Sequence, residues 1–213
     1  MATDNIQRYG FRVFKSRSST SAPMPERLRV ASAYQATDTN SANCDIGPGD
    51  VFKKVSDGTV AAAAGTDAFA YVCVALGPYW DGTVMRWNKV IPGASGSYGT
   101  NYERETFIYC VPVSHYIFEV DCDTSGSNTT YANYRTLIHN NVNHVNTGDT
   151  TNVRLNPQLA ISGAATTNTL QWRIVDISPS QENADFGGKY VKLLVAANIS
   201  QEAAGGAGTL TGV

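Results

Sequence analysis

Glu119, Asp121 and Asp123 stand at alternate positions in the run 106–123, TFIYCVPVSHYIFEVDCD. In an extended chain, side chains two apart share a face, so the three carboxylates project together. Such a row could bind a cation, flank a glycosidic bond or meet cations on a partner. Calcium takes about six to eight oxygens from a curved loop, which a flat strand does not provide. Two carboxylates at this spacing come within glycosidase range, but any strand carrying alternate acids passes that test. The pattern favours a solvated strand face, with ion pairs to a partner as the next reading.

The other candidates for chemistry are the histidines His115, His139 and His144 and the cysteines Cys44, Cys73, Cys110 and Cys122. His115 with Cys110 and Cys122 has the ligand types of a zinc site, but the three lie along one extended run and converge only across a sharp bend. No pair of cysteines has CxxC spacing, and three of them sit in apolar runs, where cysteine behaves as a small hydrophobe. A serine–histidine–aspartate set needs no sequence proximity, but the nucleophile-elbow pattern does not occur. Gly47-Pro48-Gly49 reads as a turn and not as a phosphate cradle. These residues imply a chain without cofactor or metal, and one that is not an enzyme.

The elements that would carry such residues are short strands. Leu170–Ile177 and Tyr190–Ala196 flank a polar segment with Pro179, Asn183, Asp185 and Gly187-Gly188, which predicts strand, long turn, strand. Val51–Val55 and Thr59–Ala64 are predicted to pair through a turn at Ser56-Asp57-Gly58. Phe69–Leu76 is apolar at successive positions, as in a strand covered on both faces. From 114 onward the long run alternates, with Tyr116, Phe118, Val120 and Cys122 on one side. Tyr131–Val145 reads as a short helix or irregular chain, and the stretch around Pro157 as strand. The fold class predicted is all-β, an antiparallel barrel or sandwich, with an extended N-terminal arm and a flexible Gly-rich C-terminal tail. The divisions are a basic arm at 1–27, a body at 28–201 with an aromatic loop insertion at 77–104, and a tail at 202–213.

Charge supports the arm. Residues 1–29 hold six cations and two acids, whereas the remainder holds ten cations and sixteen acids. A basic segment on an acidic body suits contact with an acidic surface; an ordinary solvated edge is the other reading. Six cations over 29 residues are too sparse for a nucleic-acid patch, and the acidic body would repel phosphate. Charged residues make up 16% of the chain, against about 25% in an average domain. Tyrosine occurs eleven times. Depleted charge and abundant tyrosine suit a surface that a partner covers. No apolar run approaches the roughly 20 residues of a membrane-spanning helix, and the first twenty residues lack the apolar core of a secretory signal. Synthesis and folding in a reducing cytoplasm are therefore expected.

The insertion concentrates Tyr79, Trp80, Trp87, Tyr98 and Tyr102 among glycines and prolines. Exposed, these rings would be a contact surface or would stack on sugars; buried, they would cap the end of the body. The candidate contact residues are Arg8, Arg12, Lys15 and Arg17 in the arm, and Tyr79, Trp80, Trp87 and Tyr98 in the loop.

Several segments together resemble the head decoration, or cement, proteins of tailed bacteriophages. The last third has a Leu170-x-x-Arg173-Ile174 strand, a loop with Pro179 and Asn183, and a Lys192-x-Leu194 strand close to the C-terminus. Phe118-Glu119-Val120 and Gly49-Asp50-Val51 are similar to that family's central strand and early strand start, and Leu155–Ile161 to the segment before its penultimate strand. The likeness covers about Leu28 to Gln201. It implies a non-enzymatic protein of the virion, on the capsid exterior, bound to the major capsid protein as a homotrimer or homodimer, with no nucleic acid or membrane partner. The alternative from another class is a virion spike or adhesin that binds host glycans through the aromatic loop.

Overall fold

A computed structural model describes residues 10–17, 24–31, 45–65, 67–80, 83–89, 91, 106–123, 130–146, 156–181, 183 and 185–201. The predicted tail at 202–213 lies outside the described residues. The regular structure among the described residues is mostly strand, and the named strands pair antiparallel.

One five-stranded sheet has the order β1 (Arg12–Ser16), β9 (Tyr116–Asp121), β14 (Lys192–Ala197), β13 (Trp172–Ile177), β10 (Asn141–Val142). The other has the order β2 (Glu26–Arg29), β8 (Phe107–Pro112), β5 (Tyr71–Leu76), β3 (Val51–Lys54), β4 (Val60–Ala62). Two hairpin-like pairs accompany them: β6 (Tyr79–Trp80) with β7 (Met85–Arg86), and β11 (His144–Asn146) with β12 (Pro157–Leu159). The sheets pack as a sandwich and do not close into a barrel.

The tail-end strand pair forms as its apolar alternation requires, β13 against β14 with Trp172 opposite Ala197. The loop between them is clamped by Asn183. Its amide nitrogen donates to the carbonyls of Ser178 and Lys192 at 2.9 and 3.0 Å, and its oxygen accepts from the Lys192 N–H at 2.8 Å. The predicted β3–β4 hairpin also forms, with Phe52 opposite Ala62. At its turn the Asp57 carboxylate takes both the N–H and the hydroxyl of Thr59.

The run 106–123, read as one strand, is two. Pro112 ends β8, Val113–His115 makes a 3-10 turn, and β9 continues in the opposite sheet. Pro112 has no N–H to continue a ladder. The run therefore crosses the sandwich and ties its two layers covalently.

Two apolar clusters result. The larger lies between the sheets and includes Phe11, Phe69, Phe118, Trp172, Ile174 and Val195. The smaller lies against the other face of the β2–β8–β5–β3–β4 sheet and includes Ile46, Phe52, Tyr71, Cys73, Tyr79, Ile91 and Cys110. That sheet is thus covered on both faces, as the unbroken apolar run of β5 requires. A single helix turn and a half, Tyr131–Arg135, is capped by Thr130, whose hydroxyl accepts the Asn133 N–H at 3.2 Å. It delivers Tyr134 to the main core.

The described part of the predicted arm is integral to the body. β1 pairs with β9, and Phe11 just before it is buried in the main core. Phe11 and Phe69 both stack on the indole of Trp172, ring centroids 4.3 Å and 4.4 Å away at interplanar angles of 22° and 25°. Gly10 lets the chain enter this packing. Its φ is +72°, and a Cβ there would stand 2.6 Å from the Gly49 carbonyl oxygen. Stacked aromatic surface, not charge, decides where this segment lies.

Candidate contact surface

The predicted aromatic loop contains a hairpin with a largely buried first strand, β6, and an exposed second strand, β7. Tyr79 is only 5% exposed and belongs to the second core, so it is not available to a partner. Trp80 is half-buried against the same cluster, and its backbone N–H donates to the Thr106 hydroxyl at 3.2 Å. The root is fixed further by Gly77 N–H on the Phe107 carbonyl and Phe107 N–H on the Pro78 carbonyl. Across the hairpin, Tyr79 faces Arg86 and Trp80 faces Met85. The exposed apolar side chains lie on β7 and immediately to either side of it. Trp87 is 73% exposed, Val84 46% and Met85 40%. Tyr98 lies outside the described residues.

Three large apolar side chains within four residues form an exposed apolar ridge on a rooted hairpin. Sequence reasoning singled out Trp87 and passed over Val84 and Met85.

The basic residues have a different fate from that expected of an arm. Arg12 makes an ion pair with Glu119 across the β1–β9 ladder. Arg17 is exposed and its guanidinium reaches the Ser114 carbonyl at 3.4 Å. Lys15 is exposed on β1. Arg27 and Arg29 on β2 flank the Phe107 ring, their guanidinium carbons 3.6 and 5.8 Å from its centre. Arg8 lies outside the described residues. β1 and β2 are edge strands, one in each sheet. Cations on edge strands resist uncontrolled strand pairing. The edge formed by β1 also exposes Val13 and Phe14, where a bulge between Val13 and Lys15 interrupts the ladder. A cleft of about 360 Å³ opens beside it, lined by Phe11, Arg12, Val13, Pro48, Gly49, Cys73 and Val74.

The acidic row is not a solvated face. Glu119 and Asp121 are buried. Glu119 takes Arg12 and the Ser178 hydroxyl on its two oxygens. Asp121 stands 3.5 Å from the ammonium of Lys192, its direct neighbour on β14, and both side chains are essentially inaccessible. Asp123 accepts the Ile161 N–H at 3.2 Å. Ser178 of the β13–β14 loop closes over Glu119, Lys192 of β14 meets Asp121, and Asp123, half-buried, is held by the 161–163 turn. The row is structural, and no group of three metal-ligating side chains gathers among the described residues.

His144 is likewise internal. Its ring lies among Phe11, Phe69 and Trp172. The Trp172 indole N–H donates to Nδ1 at 3.3 Å, and Nε2 faces the Ala63 carbonyl at 3.1 Å. Nε2 therefore carries the proton of a neutral imidazole. Burial pushes its pKa down to about 4, against the opposing pull of the Ala63 and Gln171 hydrogen bonds and the Asp67 charge.

No family model, curated protein or solved structure matches the chain.

The arrangement exposes apolar side chains along β7, and apolar and cationic side chains along the β1 edge.

Proposed function

We propose that this chain is a structural protein that coats the outside of a tailed-phage head and stabilises the lattice of its major capsid protein. The observation that carries the reading is the exposed ridge Val84, Met85 and Trp87, on the β7 side of a hairpin whose β6 side is anchored in the core. A protein that must grip a large neighbouring surface needs apolar side chains in water before docking, on a support that does not collapse. The all-β sandwich agrees with it, and the sequence resemblance to decoration proteins is what suggests the lattice as the partner.

The energetic logic is linkage. A protein that binds only the expanded lattice stabilises it by RT ln(1 + [L]/Kd) at every site. Modest per-site energies sum over many copies. Assembly as a homotrimer or homodimer would place several ridges on the lattice at once, and the second contact then forms at high effective concentration.

Trp87 also favours a second reading. An indole exposed to this degree is a platform on which a sugar ring can stack, as a host-binding spike would require. Trp87→Ala with Met85→Ser, added to purified expanded heads in a co-sedimentation assay, separates the two. Loss of sedimenting protein supports the lattice reading. Retained sedimentation with lost binding to host cells supports the spike. Sedimentation and cell binding both unchanged would remove the ridge from either role.

A further inference from the structure

Cys73 on β5 and Cys110 on β8 are direct partners across an antiparallel ladder. Both are fully buried, and both belong to the second core, so their side chains leave the same face of the sheet. The backbone fixes the kind of pair. The Cys73 N–H donates to the Asp50 carbonyl at 2.9 Å, and its C=O accepts the Gly49 N–H at 2.8 Å. A strand residue directs both groups to one side, so Cys73 spends them on the 49–50 segment and offers none to β8. Cys73 and Cys110 are therefore a non-hydrogen-bonded pair, the class in which facing Cα atoms approach to about 4.5 Å. A disulfide accepts Cα separations of about 4.4–6.8 Å.

We propose that Cys73 and Cys110 are a latent cross-strand disulfide, reduced where the protein is made and closed on exposure to a disulfide oxidant such as oxidised glutathione. Two S–H bonds break and one S–S bond forms. Two electrons and two protons pass to the oxidant, so one oxidised glutathione leaves as two reduced molecules.

The thiols are free in the structure, with the Cys73 thiol resting on the Ala75 carbonyl at 3.4 Å. The Cys110 thiol is raised well above its ordinary pKa, first by burial and then by its hydrogen bond with Cys73. Little thiolate is available, so closure in the folded protein is slow and follows local opening. Cys122 has no part in it, since it lies in the other cluster between the sheets. Cys44 lies outside the described residues.

The link would tie the two ends of the segment 74–109, which carries the apolar hairpin, at the middle of a doubly covered sheet. It is independent of the proposed function: it concerns only chain geometry and holds or fails without any capsid.

The purified protein is incubated with oxidised glutathione, both folded and during refolding from urea, then unfolded and alkylated with N-ethylmaleimide. The expected result is a chain in which two of the four thiols resist alkylation, a peptide map that joins Cys73 to Cys110, and a Tm raised by about 5–10 °C. Cys73→Ser should leave all three remaining thiols alkylated and the Tm indifferent to oxidant. Four alkylated thiols after oxidative refolding, where access is not limiting, would overturn the proposal. So would a glutathione adduct on either residue without an internal link, or a link between any other pair.

Discussion

The indole N–H of Trp172 donates to Nδ1 of His144 at 3.3 Å, which commits this fully buried histidine to its neutral form. Protonation would set a second N–H against the indole donor inside an aromatic cage.

Acid should therefore destabilise the fold earlier than its carboxylates dictate. His144 has a folded pKa of about 4, below its ordinary 6.5. Between these values the unfolded chain binds the extra proton, so stability rises with pH across the window and is lost as pH falls from 6.5 toward 4. The full shift corresponds to roughly 3 kcal/mol. Asp67 acts lower. Burial raises its pKa, but the Lys53 ammonium and the Ala64 N–H outweigh burial and hold it below 3.8, so its contribution disappears only beneath that value. Urea unfolding at pH 7, 5.5 and 4 should show the decline, and His144→Gln should flatten it. An unchanged midpoint from pH 7 to 4 in the parent protein would refute the assignment.

Removing residues 1–9 should leave the body folded, whereas removing 1–17 should not. The longer deletion takes Phe11 out of its stack on Trp172 and strips β1 from β9. Phe11→Ala alone should cost about 3–5 kcal/mol. Thermal melts of the three variants decide it. A cooperative melt of the 1–17 deletion near the parent Tm would show that β1 is an accessory arm after all.

The Lys192–Asp121 pair should behave as a buried ion pair. Asp121→Leu or Lys192→Met alone should cost about 3–5 kcal/mol, because each leaves one charge uncompensated. The double variant Asp121→Leu with Lys192→Met should recover much of that loss. Additive single losses in a double-mutant cycle would mean that the two groups do not act on each other.

Much of the fold was legible where short-range pattern determines it. β13 and β14, the β3–β4 hairpin and the doubly covered β5 follow from alternation and turn residues within a few positions. The split of 106–123 was not, because apolar residues run on through Pro112 and Val113, and nothing local reveals that the two halves join different sheets. Tyr79 and Trp87 look alike in a sequence, yet one is core and the other surface, since hairpin rooting depends on Thr106 and Phe107 far along the chain. The acids misled for the same reason. Arg12 reaches Glu119 across 107 positions, and Lys192 meets Asp121 only through strand pairing. Alternation correctly separates the two faces of β9; it cannot say which groups meet the second one.

The most direct test of the central claim is the stoichiometry of this chain in purified particles, measured against the major capsid protein by quantitative mass spectrometry. The account expects hundreds of copies in a simple integer ratio to the capsid subunit, falling sharply when Trp87→Ala replaces the parent chain. A few copies per particle would move the protein to a vertex or tail, and complete absence from particles would contradict the account.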